Sequence, residues 1–179
     1  MKKQPAKIRL IAFDVDGVFT DGRFYLSDDG IESKAFHTQD GFGIRQLLKA
    51  GIEVAVISGR KSMAVERRMA ELGVRHVIQN CPDKPAAFDK LSKTLGIPAS
   101  ESAYVGDDIP DLPLLSKVAF SIAVANAVSA VREYCDYTTE AAGGNGAVRE
   151  ICEFLLAAHE PESNQQETDS LHVQQQVSP

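Results

Sequence analysis

The feature that most constrains the fold is an alternation of short, almost wholly apolar runs with longer amphipathic stretches. The apolar runs are IRLIAF (8–13), IEVAVIS (52–58), HVIQN (76–80), SAYVGD (102–107) and VAFSIAV (118–124). Each is too short for a typical helix and nearly continuous in apolar character, as expected for a strand buried on both faces. Helices are predicted at 41–50, 62–72, 84–95, 108–116, 127–134 and 146–159. Alternating strands and helices favour an α/β fold, a doubly wound, Rossmann-like parallel sheet.

One segment, residues 23–37, interrupts this alternation. It reads RFYLSDDGIESKAFH, two short extended runs joined by SDDG, which is typical of a β-hairpin inserted after the first strand. Its residues Phe24, Tyr25, Ile31 and Phe36 are more apolar than an isolated hairpin exposes, and this favours a partner surface. We expect one domain over 1–159 and a disordered tail over 160–179, where Gln, Ser and Glu dominate.

Composition excludes several classes of partner. The formal net charge of -6 and the absence of tryptophan argue against nucleic-acid binding. No run approaches the ~20 apolar residues of a membrane span, and the N-terminal apolar run ends in aspartate, unlike a signal peptide, so we expect a cytoplasmic protein. The three cysteines, Cys81, Cys135 and Cys152, form no CxxC pair, so neither a disulfide framework nor a thiolate zinc site is expected.

Polar residues collect where the predicted strands end. The first strand runs into Asp14 and Asp16, the second into Ser58, Gly59 and Arg60, and the fourth into Asp107, Asp108 and Asp111, while Lys84 opens the helix after the third. With a strand order of 3-2-1-4-5, the first and fourth strands are neighbours at the point where the order reverses, which is where such sheets bind ligands. A crowd of carboxylates without nearby His or Cys suits Mg²⁺.

These residue types have complementary chemistry. A hydroxyl (Ser58) and an ammonium (Lys84) facing a metal form a site for a tetrahedral oxyanion. Asp14, held at the strand end, is the better nucleophile, and Asp16 is placed to act as general acid and base. Asp111 is equally well explained as a cap of the following helix. A further carboxylate, Asp21, is assigned with Gly22 to the turn into the hairpin.

The ordered motifs DxDG, SGR, Lys and GDDxxD resemble those of the haloacid dehalogenase (HAD) superfamily of aspartyl-phosphate phosphatases. The resemblance implies a HAD-like fold over about residues 8–159, with Asp14 as nucleophile and Asp16 as acid/base. It implies phosphate binding by Ser58, Gly59 and Lys84. It also implies Mg²⁺ bound by Asp14, the Asp16 carbonyl and Asp107, with Asp108 and Asp111 in support.

The short gaps between motifs leave no room for a cap domain. The segments DVDGVFTDG, FHTQDGFGI and GGNGAVREIC further resemble the capless phosphatases of 3-deoxy-D-manno-octulosonate 8-phosphate (KDO 8-phosphate), which act in lipopolysaccharide biosynthesis. This implies a homotetramer in which hairpins assemble centrally, neighbouring subunits complete each site, and the tail folds over a neighbour. It also implies substrate contacts by Thr38, Arg60 and Arg68, although Arg68 equally fits a solvated helix face.

Other functions remain to be weighed. Relatives acting on sialic acid 9-phosphates usually carry glutamate where this chain has Arg60, which favours the KDO branch. A signalling receiver domain would carry its acceptor aspartate after the third strand, where this chain has Asn80, and a non-catalytic scaffold would not keep every catalytic position. Two departures from the family pattern, the third motif NCPDKP (80–85), which contains Lys84, and Asn145 in place of a basic residue, leave substrate specificity open.

Overall fold

The structure, a computed structural model, describes residues 7–159. The strands are β1 Leu10–Phe13, β2 Tyr25–Leu26, β3 Glu32–Ser33, β4 Glu53–Ile57, β5 His76–Ile78, β6 Ser102–Gly106, β7 Phe120–Ala123 and β8 Tyr137–Thr138. The helices are α1 Thr38–Lys49, α2 Met63–Leu72, α3 Lys84–Leu95, α4 Leu112–Leu115, α5 Ser129–Tyr134 and α6 Ala147–His159. The predicted disordered tail, 160–179, lies outside the described residues.

Six strands form one parallel sheet in the order β5-β4-β1-β6-β7-β8. The predicted order 3-2-1-4-5 and the doubly wound α/β fold are therefore confirmed, with β8 as an additional edge strand of two residues. Right-handed crossovers place α1 and α2 on one face, and the reversal at β1 places α3 and α4 on the other. Consistent with this, α1 packs against α6 and α3 against α4.

Two predicted helices differ from the observed ones. The helix predicted at 41–50 begins earlier, at Thr38, and its Gly41 and Gly43 lie in the helix, where added side chains would meet Arg68 and Cys152. The helix predicted at 108–116 is a 3₁₀ turn, Ile109–Asp111, followed by one turn of α-helix. It does not start as an α-helix because the Asp111 carboxylate folds back onto the amides of Asp107 and Asp108.

The hairpin forms its own two-stranded antiparallel sheet, β2-β3, between β1 and α1. It carries a cluster of exposed apolar side chains, namely Phe24, Tyr25, Leu26 and Ile31, which we call the hairpin patch. No cap domain is present between the described elements. Along 7–159, none of the helices has the length and apolar character that a membrane crossing requires.

The three cysteines are free thiols. Cys81 and Cys152 are buried and Cys135 is half-buried. They fill space in the protein interior and form no cluster with one another.

Candidate active site

A cleft opens at the carboxyl edge of the sheet, beside the junction of β1 and β6 where the strand order reverses. Its volume is about 330 Å³. The lining residues are Asp14, Asp16, Gly22, Ser58, Gly59, Arg60, Lys84, Asp107, Asp108, Pro110 and Asp111. Nine of these eleven are residues that the sequence singled out, and they come from four separate strand ends.

Asp14 follows the last residue of β1, and its backbone N–H donates to the Val105 carbonyl at 2.9 Å, which extends the β1-β6 ladder by one residue. The side chain is held by the rigid sheet and points into the cleft beside Lys84, with 2.9 Å between Oδ1 and Nζ. Burial raises the pKa of Asp14 to about 6, against the opposing effect of Lys84. The carboxylate thus presents its oxygens to the cleft with little freedom to move.

Lys84 is the first residue of α3. Asp83 caps that helix by accepting from the Ala86 N–H at 3.0 Å, and Pro85 takes the second helical position, where no hydrogen-bonded N–H is needed. The ammonium is buried, and although burial alone would lower the pKa of Lys84, Asp14 and Asp111 outweigh it and the pKa is raised. Lys84 therefore stays charged in the floor of the cleft.

Asp111 is almost wholly buried and uses both oxygens fully. Oδ1 accepts from Lys84 Nζ at 2.7 Å and from the Tyr104 hydroxyl at 2.7 Å. Oδ2 accepts from the backbone N–H groups of Asp107 and Asp108 at 3.0 and 3.2 Å. The Asp111 carboxylate therefore caps the 3₁₀ turn, as one interpretation of the sequence expected, and also binds Lys84.

Asp107 lies where carboxylates crowd together. One oxygen each of Asp14, Asp107 and Asp111 lie within 4.8 Å of one another. Burial, followed by the charges of Asp14, Asp111 and Asp108, raises the pKa of Asp107 to about 7. A divalent cation at this point would relieve the repulsion, and an all-oxygen donor set suits a hard ion such as Mg²⁺.

Ser58 is buried at the end of β4, where its N–H donates to the Ile78 carbonyl at 2.9 Å and its carbonyl accepts from the Cys81 N–H at 3.0 Å. These bonds fix the turn that presents the Ser58 hydroxyl and Gly59 to the cleft, opposite Lys84. The ends of neighbouring strands thus contribute Ser58, Gly59 and Lys84 to one cleft.

A tight approach of two loops supports the Asp107 side of the cleft. Gly17 has φ +89°, and a Cβ there would lie 2.0 Å from Asp107 Oδ2. Asn126 joins the loops, because its amide donates to the Gly17 carbonyl at 2.9 Å and its Oδ1 accepts from the Gly143 N–H at 2.5 Å.

Asp21 caps the turn into the hairpin by accepting from the Arg23 N–H at 3.0 Å, which agrees with the role assigned from the sequence.

The residues predicted to contact substrate do not all lie at the cleft. Arg60 lines it, but Thr38 is exposed at the start of α1 and Arg68 pairs with Glu71 at 2.9 Å on α2. Asn145 is exposed between Gly144 and Gly146. Within this chain, then, Arg60 alone of the three predicted substrate residues faces the cleft.

Sequence reasoning missed two residues that hold the site. Tyr104 was counted only as part of a buried strand, yet its hydroxyl accepts from Lys84 Nζ at 3.2 Å. Lys34 was passed over because the hairpin was judged by its apolar residues, yet its ammonium contacts the carboxylate of Asp16. The signal available in the sequence was the i, i+2 spacing of Glu32 and Lys34, which places both on one face of an extended segment.

The chain matches known proteins over most of its length. Residues 76–151 match a family model of haloacid dehalogenase-like hydrolases. The chain is 49% identical over 151 residues to the KDO 8-phosphate phosphatase KdsC of Escherichia coli (strain K12), covering 84% of this chain and 80% of the relative. The solved structure of the Yersinia pestis KDO 8-phosphate phosphatase superposes with a TM-score of 0.84 at 43% identity, covering 86% and 83% of the two chains.

A second solved structure adds ligands. The Moraxella catarrhalis KDO 8-phosphate phosphatase, described in complex with a magnesium ion, a phosphate ion and KDO, is similar with a TM-score of 0.83 at 44% identity. The similarity covers 94% of this chain and 93% of that one.

Proposed function

This chain belongs to the KDO 8-phosphate phosphatase family of haloacid dehalogenase-like hydrolases, and we infer that it hydrolyses KDO 8-phosphate to KDO and inorganic phosphate. The observation that carries this function is the pairing of a buried carboxylate, Asp14, with a buried ammonium, Lys84, at the sheet's switch point. Such a pair offers a nucleophile and an anion-binding group to the same phosphate. The product KDO is a sugar of lipopolysaccharide, so the reaction is one step in lipopolysaccharide biosynthesis.

The proposed reaction divides the work between two aspartates. An Asp14 oxygen attacks phosphorus, the bond from phosphorus to the sugar oxygen breaks, and Asp16 gives its proton to that leaving oxygen. Asp16, now a carboxylate, takes a proton from water as the water attacks the aspartyl-phosphate, which releases phosphate and restores Asp14. The proposal is supported by the fixed position of Asp14 at the end of β1 and by the place of Asp16 on the cleft wall.

The phosphate would be bound from the opposite side of the cleft. The Ser58 hydroxyl, the Gly59 backbone and the Lys84 ammonium are the groups proposed to contact its oxygens. Lys84 is already bound to Asp14 and Asp111, so it enters the reaction with a fixed orientation rather than as a mobile surface cation.

Mg²⁺ is the cofactor, and its proposed ligands are Asp14, the Asp16 carbonyl and Asp107. The fit rests on three carboxylate oxygens, one each from Asp14, Asp107 and Asp111, that lie within 4.8 Å of one another. Burial first, and then neighbouring carboxylates, raise the pKa of Asp107, and a cation would offset both effects. Magnesium would supply positive charge that lets an anionic nucleophile approach an anionic phosphate. We propose that Asp108 and Asp111 support the site from outside, since Asp111 already accepts four hydrogen bonds.

We also propose the assembly and the location. A homotetramer that buries the hairpin patch would cover side chains such as Tyr25, which is 68% exposed, and Leu26, which is 65% exposed. Adjacent subunits would then bring Thr38 and Arg68 toward a neighbour's substrate, and Arg60 would bind the substrate's carboxylate from within. A cytoplasmic location fits a phosphate ester whose charge prevents it from crossing a bilayer unaided.

The direct test is phosphate release from KDO 8-phosphate and from a sialic acid 9-phosphate, each with Mg²⁺ and with EDTA. We expect a higher kcat/KM on KDO 8-phosphate and loss of turnover in EDTA. A clear preference for the nine-carbon substrate would assign the chain to the sialic acid branch instead, and turnover of neither would overturn the function.

A further inference from the structure

The base of the hairpin reaches the proposed acid/base residue through a ring of charges. Four side chains of alternating sign close on one another: Asp16, Lys34, Glu32 and Arg60, which we call the ion ring. Lys34 contacts Asp16 and lies 3.5 Å from Glu32, Arg60 lies 2.7 Å from Glu32, and the Arg60 Nε lies 3.8 Å from Asp16. Two members come from the hairpin and two from the loops that follow β1 and β4.

The ring places a cation beside each oxygen of one carboxylate. Lys34 Nζ contacts Asp16 Oδ1, and Arg60 Nε lies 3.8 Å from Asp16 Oδ2, an ion-pair distance that is too long for a hydrogen bond. Lys34 is therefore the cation that binds the Asp16 carboxylate directly, and Arg60 attracts the second oxygen from farther away.

Lys34 is unlike a surface lysine. Its side chain is fully buried, with a relative exposure of 0%. Its ammonium contacts Asp16 more closely than it does Glu32, whose Oε1 lies 3.5 Å away. The Phe24 ring packs 4.2 Å from the Arg60 guanidinium and 5.8 Å from Lys34 Nζ, which keeps both cations in place.

The two active-site aspartates thus have separate lysines. Lys84, from α3, holds Asp14, and Lys34, from the hairpin, holds Asp16. A hairpin that served only as a contact between subunits would need its exposed apolar side, the hairpin patch. Such a role would not require a buried lysine in contact with Asp16. The buried lysine indicates a second task at the opposite end of the same element.

We propose that Lys34 is a positioning residue for proton transfer, which makes the hairpin a part of the active site of its own subunit. The proposal rests on the proposed function, because it assumes that Asp16 is the acid that protonates the leaving oxygen. As the bond from phosphorus to that oxygen breaks and the bond to Asp14 forms, the proton moves from Asp16 to the leaving oxygen. Lys34, in contact with Asp16, aims that carboxyl group at the leaving oxygen.

The test uses the dependence of the rate on the leaving group. Phenyl phosphate and p-nitrophenyl phosphate are close in size, but phenol is a far poorer leaving group and needs protonation more. We expect Lys34→Met to lower kcat/KM on phenyl phosphate at least about 10-fold more than on p-nitrophenyl phosphate. The ratio kcat/KM reports steps up to release of the alcohol, so slow hydrolysis of the aspartyl-phosphate does not enter it.

Two further variants make the result specific. Lys117→Met removes an ammonium that pairs with Asp89 at 2.5 Å on the surface, and it should leave the ratio of the two rates at the wild-type value. Lys34→Arg keeps the positive charge and should bring the ratio part of the way back. Circular dichroism and gel filtration on each variant establish that it is folded and has the wild-type assembly.

The outcomes separate this proposal from the function itself. Equal loss on both phosphates in folded Lys34→Met, or a ratio unchanged from wild type, would overturn the role of Lys34. If Lys34→Met fails to fold, Lys34→Arg and Glu32→Gln carry the same comparison, and wild-type ratios in both would overturn it. If the wild-type protein releases no phosphate from KDO 8-phosphate, the proposed function fails first.

Discussion

Asp107→Asn is expected to make the metal-free protein more stable at alkaline pH, although it removes a proposed metal ligand. Asp107 has its pKa raised to about 7 from 3.8 by burial and by three neighbouring carboxylates. Ionising Asp107 therefore requires more free energy in the folded protein than in the unfolded chain, which lowers the free energy of unfolding. Asparagine has nearly the same shape and removes the charge.

The magnitude follows from the pKa. At about 1.4 kcal/mol for each pKa unit, the difference between the folded and unfolded pKa of Asp107 corresponds to roughly 4 kcal/mol before solvent screening is considered. Solvent screening of a side chain that is partly exposed reduces this to roughly 2 kcal/mol. Because the folded pKa is the higher one, the destabilisation is absent below the unfolded value near 4, grows as pH rises, and is complete above about 7.

The assay is urea unfolding in EDTA at pH 5 and at pH 8. We expect Asp107→Asn to exceed wild type by roughly 2 kcal/mol at pH 8 and by much less at pH 5. Saturating Mg²⁺ should reverse the order, because it stabilises only the protein that binds it. Asp83→Asn is the matched control, since Asp83 is exposed, caps α3 and is replaced by a residue that also caps a helix, so its change should stay within about 0.5 kcal/mol.

A result at pH 8 in which Asp107→Asn is no more stable than wild type would refute the reasoning. A gain of equal size at both pH values would refute it as well, because the effect would then not come from ionisation of the carboxyl group.

Two other substitutions test how the site is supported. Gly17→Ala adds a Cβ 2.0 Å from Asp107 Oδ2 at φ +89°, so phosphatase assays should show at least about 100-fold loss of kcat. Gly30→Ala meets the same φ penalty, at +81°, with nothing within 4 Å, and should lower stability by about 1 kcal/mol with kcat unchanged. Tyr104→Phe removes a hydroxyl bonded to the active-site lysine and carboxylate, and should lower kcat about 10-fold with KM nearly constant. Tyr137→Phe, which removes a hydroxyl bonded to a carboxylate outside the cleft, should lower stability comparably without changing kcat, and equal kcat losses in both variants would contradict the role of Tyr104.

Much of the fold was predictable because the central strands can be recognised from their own sequence. Each central strand of a parallel sheet is apolar on both faces, so runs such as 52–58 stand out without reference to their neighbours. The edge strand Tyr137–Thr138 has only two residues and no such run, and it forms only because β7 offers a free edge.

The site was predictable to the extent that its residues follow strand ends. Asp14, Ser58 and Asp107 do so, and the sheet alone brings them together. Lys34 does not, because its position depends on how a hairpin of two-residue strands folds back over the cleft. The spacing of Glu32 and Lys34 predicts that they share a face of the hairpin, but the residues that this face contacts depend on side chains distant in the chain.

The prediction of a helix over 108–116 was wrong for a related reason. Its composition suits a helix, but the Asp111 carboxylate forms stronger bonds with two backbone amides and the buried Lys84 than a regular first turn would provide. The local preference for an α-helix is overridden at the point where the chemistry is concentrated, as is common at functional sites.

The most direct test of the account is the turnover of KDO 8-phosphate by Asp14→Asn in saturating Mg²⁺. Asparagine keeps the size of the side chain and a polar contact for Lys84, but it removes the oxygen nucleophile. The account predicts a fall in kcat of at least about 10³-fold, with acid-quenched wild type carrying phosphate on the peptide that contains Asp14 and the variant carrying none. Phosphate release by the variant at near the wild-type rate would contradict it.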